Sequence, residues 1–274
     1  MKYSDKQVEI KRIVEQDKPF PGKIIEQMPL LLGEGRAPWT AARFMKERIA
    51  HAEQFPDLKS YLNVSDLIAY DSNKRSTDVK FILTVDKNGR VTEQGRKALE
   101  LINPNVKLTS EHAVPLSNEL YNSFSGIVVP KADLGVSEGY LTVEEVLESK
   151  AWRNLERNLT EEEILGSKIW RILARHPDEV PAEFAEDPAL LEEYACWVKS
   201  QTKQDTNMGV YMDSNSKNAK LRAFYIAGLD GRSWLFGWNN LNVSGCLVGY
   251  LAPEALSVAG KGASNIKAYT MADL

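Results

Sequence analysis

Asp230-Gly231 constrains the fold of this chain more than any other pair of residues. It sits between two apolar, alternating runs, and Asp-Gly is a preferred two-residue type I′ turn. That turn sets Leu229 opposite Arg232 and so dictates the pairing behind it: Ala227 with Trp234, Tyr225 with Phe236, Ala223 with Trp238. Side chains alternate across a strand, so these six share one face. Phe224, Ile226 and Gly228 pair with Gly237, Leu235 and Ser233 on the other. Both faces carry large apolar groups, which predicts a central hairpin covered on two sides. Val243 to Leu251 reads as a third strand that completes an antiparallel meander.

Other elements are marked by local chemistry. Ser4-x-x-Gln7 has the form of a capping box, and Pro19, Pro21 and Pro29 read as a proline-rich link after it. Pro38 suits the first turn of a helix running to about Gln54. Val79 to Asp86 reads as a strand, Asn88-Gly89 as a turn, Thr92 to Ile102 as a helix and Ile127 to Val129 as a strand. Capping boxes at Thr142-x-x-Glu145 and Thr160-x-x-Glu163, then Asp187-Pro188, begin three further helices. In the Thr160 helix Leu165, Ile169, Ile172 and Leu173 share a face, with Lys168, Arg171 and Arg175 opposite. Leu190, Leu191, Tyr194, Trp197 and Val198 form the apolar stripe of the last.

The pattern is α+β: amphipathic helices packed on a C-terminal antiparallel β-meander, with a mixed N-terminal region. Residues 1–135 make up the mixed region and 136–274 the helical segment plus meander, as two units or one continuous domain. The formal charge of −4 gives no overall attraction to nucleic acid or an anionic membrane. Acidity is concentrated in residues 131–205, which hold 9 basic and 17 acidic groups. Solvated helix faces and acidic first turns explain that block.

Chemistry-bearing patterns are sparse. The three histidines and two cysteines lack metal-ligand spacing, and Asp86-x-Asn88-Gly89 has Lys97 where a calcium loop requires Glu. No metal and no cofactor is expected. The best ligand-binding candidates lie near the second helix. At helical spacing Trp39, Arg43 and Lys46 form one stripe opposite Ala41, Met45, Ile49 and Ala52, preceded by Gly33-Glu34-Gly35-Arg36. An indole beside cations can stack a flat group or hold an anion. Tyr225, Trp234, Phe236 and Trp238 offer a second contact surface. No accessible Cys or Ser is placed beside a His by any recognisable motif.

Val91-Thr92-Glu93-Gln94-Gly95-Arg96-Lys97-Ala98-Leu99-Glu100 resembles the strand-to-helix phrase after the wing in winged-helix regulators. That resemblance implies a helix-turn-helix just upstream. Residues 56–78 instead contain Pro56 and a loop rich in Ser, Asn and Asp, so the chain is not identified with that family. The N-terminus MKYSDKQVEIKR lacks a signal-peptide core, and two cysteines form no disulfide framework, so a cytoplasmic protein is expected. The leading functional expectation is a non-catalytic intracellular binding or assembly protein with a protein partner. An anionic small molecule is the other partner considered for that reading; a metal-independent enzyme acting on an anionic small molecule is the alternative, and nucleic-acid binding through the basic N-terminal third is a disfavoured third. No membrane association is expected.

Overall fold

The computed structural model describes residues 17–54, 56–59, 62–71, 78–130, 161–203, 208, 210–211, 219–226, 228, 235–236, 241–242 and 244–252. Two sheets organise these residues. The smaller has the order β1 (Asp17–Lys23), β10 (Ser244–Tyr250), β2 (Ala37–Pro38), all antiparallel. The larger runs β6 (Ile127–Pro130), β4 (Asp78–Ile82), β3 (Leu62–Tyr70), β8 (Lys220–Ile226), β9 (Leu235–Phe236), β7 (Val210–Tyr211), and β5 (Val114–Pro115) also pairs with β8. The helices are α1 (Ile24–Gly33), α2 (Ala41–His51), α3 (Glu93–Glu100), α4 (Asn118–Ser123), α5 (Glu161–Gly166), α6 (Lys168–Leu173) and α7 (Leu190–Thr202). The α+β class therefore holds.

The larger sheet is packed on both faces. All nine residues of β3 are buried, and its apolar side chains divide between two cores. Val64, Ile68 and Tyr70 join Phe44, Met45, Trp170, Tyr194 and Phe224 under α2 and α5–α7. Leu67 and Ala69 join Ile24, Met28, Leu99, Leu221 and Ala223 under α1 and α3. Phe81 and Phe224 stack across the first core, with centroids 5.5 Å apart. Each such buried side chain stabilises the fold by roughly 1.5–3 kcal/mol, enough to keep the sheet central.

The hairpin register is the one the turn dictates: Tyr225 pairs with Phe236 and Ile226 with Leu235. The Asp230-Gly231 turn itself lies outside the described residues. Burial of Ala223, Phe224, Ile226 and Leu235 agrees with a hairpin covered on both sides. The third strand differs from expectation. β10 is extended as predicted, yet it pairs with β1 and β2 instead of completing a meander with β9. Strand pairing crosses position 135 in both sheets, through β3 with β8 and β1 with β10.

The proline-rich link is not a link. Pro19 and Pro21 lie in β1, opposite Val248 and Cys246, and Pro29 lies inside α1. Two prolines spaced two apart leave their missing N–H groups on one side of the strand, and among the described residues β1 is an edge strand whose outer side needs no donor. Pro38 likewise belongs to β2, and Thr40 is the N-cap of α2, accepting a hydrogen bond from the Arg43 amide at 3.1 Å. Thr92 caps α3 in the same way, through the Gly95 amide. The ten-residue phrase is an isolated bridge at Val91 followed by α3, but residues 62–70 upstream form a strand, and no helix-turn-helix precedes it among the described residues. The Ser4 and Thr142 capping boxes lie outside the described residues. The Thr160 helix is interrupted at Ser167 into α5 and α6.

A bulge in β3 joins the two sheets. Its register with β8 shifts between Asn63 and Leu67, which releases Ser65 and Asp66 from that pairing. Ser65 donates its amide to the Trp39 carbonyl at 2.9 Å, and Trp39 donates its own to the Val248 carbonyl at 2.8 Å. Asp66 accepts from the Ala41 amide at 2.7 Å, at the start of α2, and from Arg175 Nη2 at 3.0 Å. Arg175 was expected on a polar helix face. It follows the Ala174 C-cap of α6 with φ of 62°, which turns its side chain into the core, 1% exposed. There it also donates to the Val85 carbonyl.

Candidate functional site

The stripe expected on α2 is reorganised because Trp39 precedes the helix. Extended backbone before Thr40 carries the indole inward, and Trp39 is 1% exposed instead of lying on an open face. Its expected place on the helix face opposite the packing face is thereby corrected. Arg43 remains half-buried. Its guanidinium lies 4.1 Å from the Tyr250 ring centroid and 5.7 Å from that of Trp39.

Two carboxylates meet the same guanidinium. Arg43 Nη2 is 3.5 Å from both Asp17 oxygens and 3.3 Å from Glu47 Oε1. Asp17 comes from the first position of β1, opposite Tyr250, whereas Glu47 is one turn along α2 from Arg43. Burial pushes the Asp17 carboxyl up, against the opposing pull of Arg43, the Trp39 indole and Arg36. Glu47 is also pushed up by burial, with Arg43 opposing and the Asp17 charge adding to the rise. Desolvation raises the Tyr250 phenol to about 12, so it is neutral at ordinary pH. The Trp39 indole N–H is buried without an acceptor at hydrogen-bonding geometry, although it lies close enough to Asp17 to favour the ionised form.

The remaining candidates are engaged nearby. Lys46 pairs with Glu186 at 2.6 Å, and Arg36 pairs with Glu34 at 3.2 Å while donating to the Gly249 carbonyl at 3.3 Å. The structure thus brings Arg36, Trp39 and Arg43 around one cluster and turns Lys46 toward the segment after α6. The second surface is only partly described. Tyr225 is half-buried, Phe236 is placed by backbone pairing, and Trp234 and Trp238 fall outside the described residues. Asp17, Glu47 and Tyr250 were missed by sequence reasoning. The i, i+4 spacing of Arg43 and Glu47 was an available signal. Asp17 and Tyr250 carried none, since they meet only through strand pairing between distant segments.

A groove of about 600 Å³ lies between β1 and α1, walled by Lys18, Pro19, Pro21, Pro29, Leu30 and Glu34 with buried Phe20 beneath. Leu30 is 56% exposed, and among the described residues it and Val128 are the large exposed apolar side chains. Lys18 donates to Glu34 across the rim, which holds the Glu34 carboxyl below its usual range.

Cys196 is exposed and Cys246 buried, neither in a disulfide. His51 Nε2 lies 3.7 Å from Glu47, and His176 sits beside Arg171 and Asp178. Among the described residues no group of three or more His, Cys, Asp or Glu is arranged to hold a metal ion. None of the helices described is long and apolar enough to cross a membrane.

No protein-family model matches the chain, and no curated protein does. A solved structure does, reported under the words "Accommodation of massive sequence variation in Nanoarchaeota by the C-type lectin fold". It aligns with a TM-score of 0.52 and 13% identity, covering 87% of this chain and 100% of that one. At that identity the likeness speaks to architecture alone, and the chain is similar in fold to a C-type lectin-fold protein of Nanoarchaeota.

Proposed function

We propose that the chain is a non-catalytic binding or assembly protein of the cytoplasm, and that it engages a protein partner through the groove between β1 and α1. The observation that carries the reading is Leu30, a large apolar side chain left 56% exposed on an open groove. Leaving it in water forgoes on the order of 1–2 kcal/mol that a partner's apolar residue would recover. Pro19 and Pro21 deprive the outer edge of β1 of amide donors, so the partner docks by side chains and does not add a strand. Lys18 and Glu34 at the rim supply one charge of each sign for orientation.

Further support comes from the cations themselves. Arg43 faces two carboxylates and Lys46 one, so neither presents uncompensated charge to an anionic small molecule or a phosphate backbone. The similar protein's fold is described as accommodating massive sequence variation. A fold that accommodates sequence variation suits a recognition scaffold better than a fixed catalytic geometry. Two cysteines outside any disulfide agree with a reducing compartment.

Co-purification with mass spectrometry tests the reading. The full chain, Leu30→Glu and Lys46→Ala are compared at equal expression. A polypeptide retained by the parent and by Lys46→Ala but lost from Leu30→Glu is the expected result. Retention by Leu30→Glu with loss from Lys46→Ala would move the contact surface to α2 and end the groove proposal.

A further inference from the structure

The cluster around Arg43 contains more buried negative charge than its committed cation can balance. Asp17 is 2% exposed and Glu47 13%, and both lean on the one guanidinium. The other groups that face them are already engaged. From the β2 side, Arg36 is held by Glu34 and the Gly249 carbonyl. From α2, Lys46 is held by Glu186, and His51 stands 3.7 Å from Glu47, adding positive charge only when protonated. From β1, Lys18 ends on Glu34. From β10, Tyr250 contributes a neutral phenol, with Asp86 and Arg175 beyond it. The buried Trp39 indole N–H, which lacks an acceptor at hydrogen-bonding geometry, completes the wall near Asp17.

We propose that Asp17 and Glu47 form a proton-binding clasp: mild acid delivers one proton to the pair, relieves their mutual repulsion across Arg43, and tightens the attachment of β1 to α2. The proton comes from water and settles on a carboxylate oxygen, and no other bond changes. β1 is the element placed to respond. Within the described residues its only strand partner is β10, two of its seven residues are prolines, and its first residue is Asp17. Burial favours the protonated form of both carboxyls, and the Asp17 charge adds to the rise at Glu47, so uptake precedes ordinary carboxylate titration. The inference does not depend on the binding proposal, although β1 walls the same groove.

Two measurements on the full chain test it. Carboxyl-carbon NMR follows the titration of Asp17 and Glu47, and hydrogen exchange compares β1 amides with those of β3 at about pH 7.5 and about pH 5.5, corrected for intrinsic exchange. The expected result is a coupled titration above the ordinary carboxylate range, with protection of β1 increasing about threefold to tenfold in acid relative to β3. Glu47→Gln removes one charge, so its β1 protection at neutral pH should already equal the acid value and change little with pH. Ordinary titration of both carboxyls overturns the proposal. So does β1 protection that stays constant, or that changes only in step with β3. The wild-type titration decides the matter even if Glu47→Gln fails to fold.

Discussion

Arg175→Met is the perturbation whose cost can be reasoned most directly. Arg175 and Asp66 are each 1% exposed, joined at 3.0 Å, and Asp66 also accepts from the first amide of α2. Methionine fills much of the same volume but leaves Asp66 as a buried charge with the Ala41 amide still donating to it. It also strips the Val85 carbonyl of the Arg175 hydrogen bond. Removing one member of a buried pair costs about 3–5 kcal/mol, most of it the penalty for the charge left behind. That is a large share of the roughly 5–15 kcal/mol that keeps a domain folded. Burial already pushes the Asp66 carboxyl up, with Arg175 and the Ala41 amide pulling it back, so the variant should bind a proton in mild acid. Its deficit should therefore shrink as pH falls, because a group whose folded pKa is raised contributes a penalty present above that pKa and relieved below it. Urea unfolding at about pH 7.5 and about pH 5.5 measures both effects, and Arg175→Met with Asp66→Asn should recover part of the loss. A single-variant cost under about 1 kcal/mol, independent of pH, would refute the idea that this pair pins α2 and the helical segment to the sheet.

Gly95→Ala should destabilise despite alanine's better helix propensity, since the added Cβ would lie 2.1 Å from the Thr84 carbonyl oxygen. A thermal melt should show a loss of about 1–3 kcal/mol, and a gain would mean that α3 can move freely off the sheet. Native alkylation followed by mass spectrometry should modify Cys196 alone, because Cys246 is buried and its thiol is pushed up to about 12. Labelling of Cys246 at a comparable rate before unfolding would contradict the placement of β10 between the two cores.

Elements fixed by their own few residues were legible in the sequence. The hairpin register followed from Asp230-Gly231, and two pairs, Tyr225 with Phe236 and Ile226 with Leu235, agree with it. Asp86 accepts from the Asn88 and Arg90 amides around the predicted turn, again a local matter. What failed needed distant partners or helix ends. Strand character in Ser244–Tyr250 was readable, but its choice of β1 over β9 depends on where the opposite end of the chain lies. Trp39 was assigned a helical phase that stops applying before the Thr40 cap, so the wheel put a buried indole on the surface. Arg175 was misplaced for the mirror reason, since its left-handed backbone after α6 breaks the periodicity. The candidate site was half legible: Arg43 was found from α2, whereas Asp17 and Tyr250 reached it through the sheet.

The central functional claim is that recognition occurs at Leu30 and that the cations of α2 are structural. Site-specific photo-crosslinking in cells tests it most directly, with the reactive group placed at position 30 in one version of the full chain and at position 46 in another. A discrete polypeptide adduct is expected from position 30 and none from position 46. An adduct from position 46 with none from position 30 would contradict it.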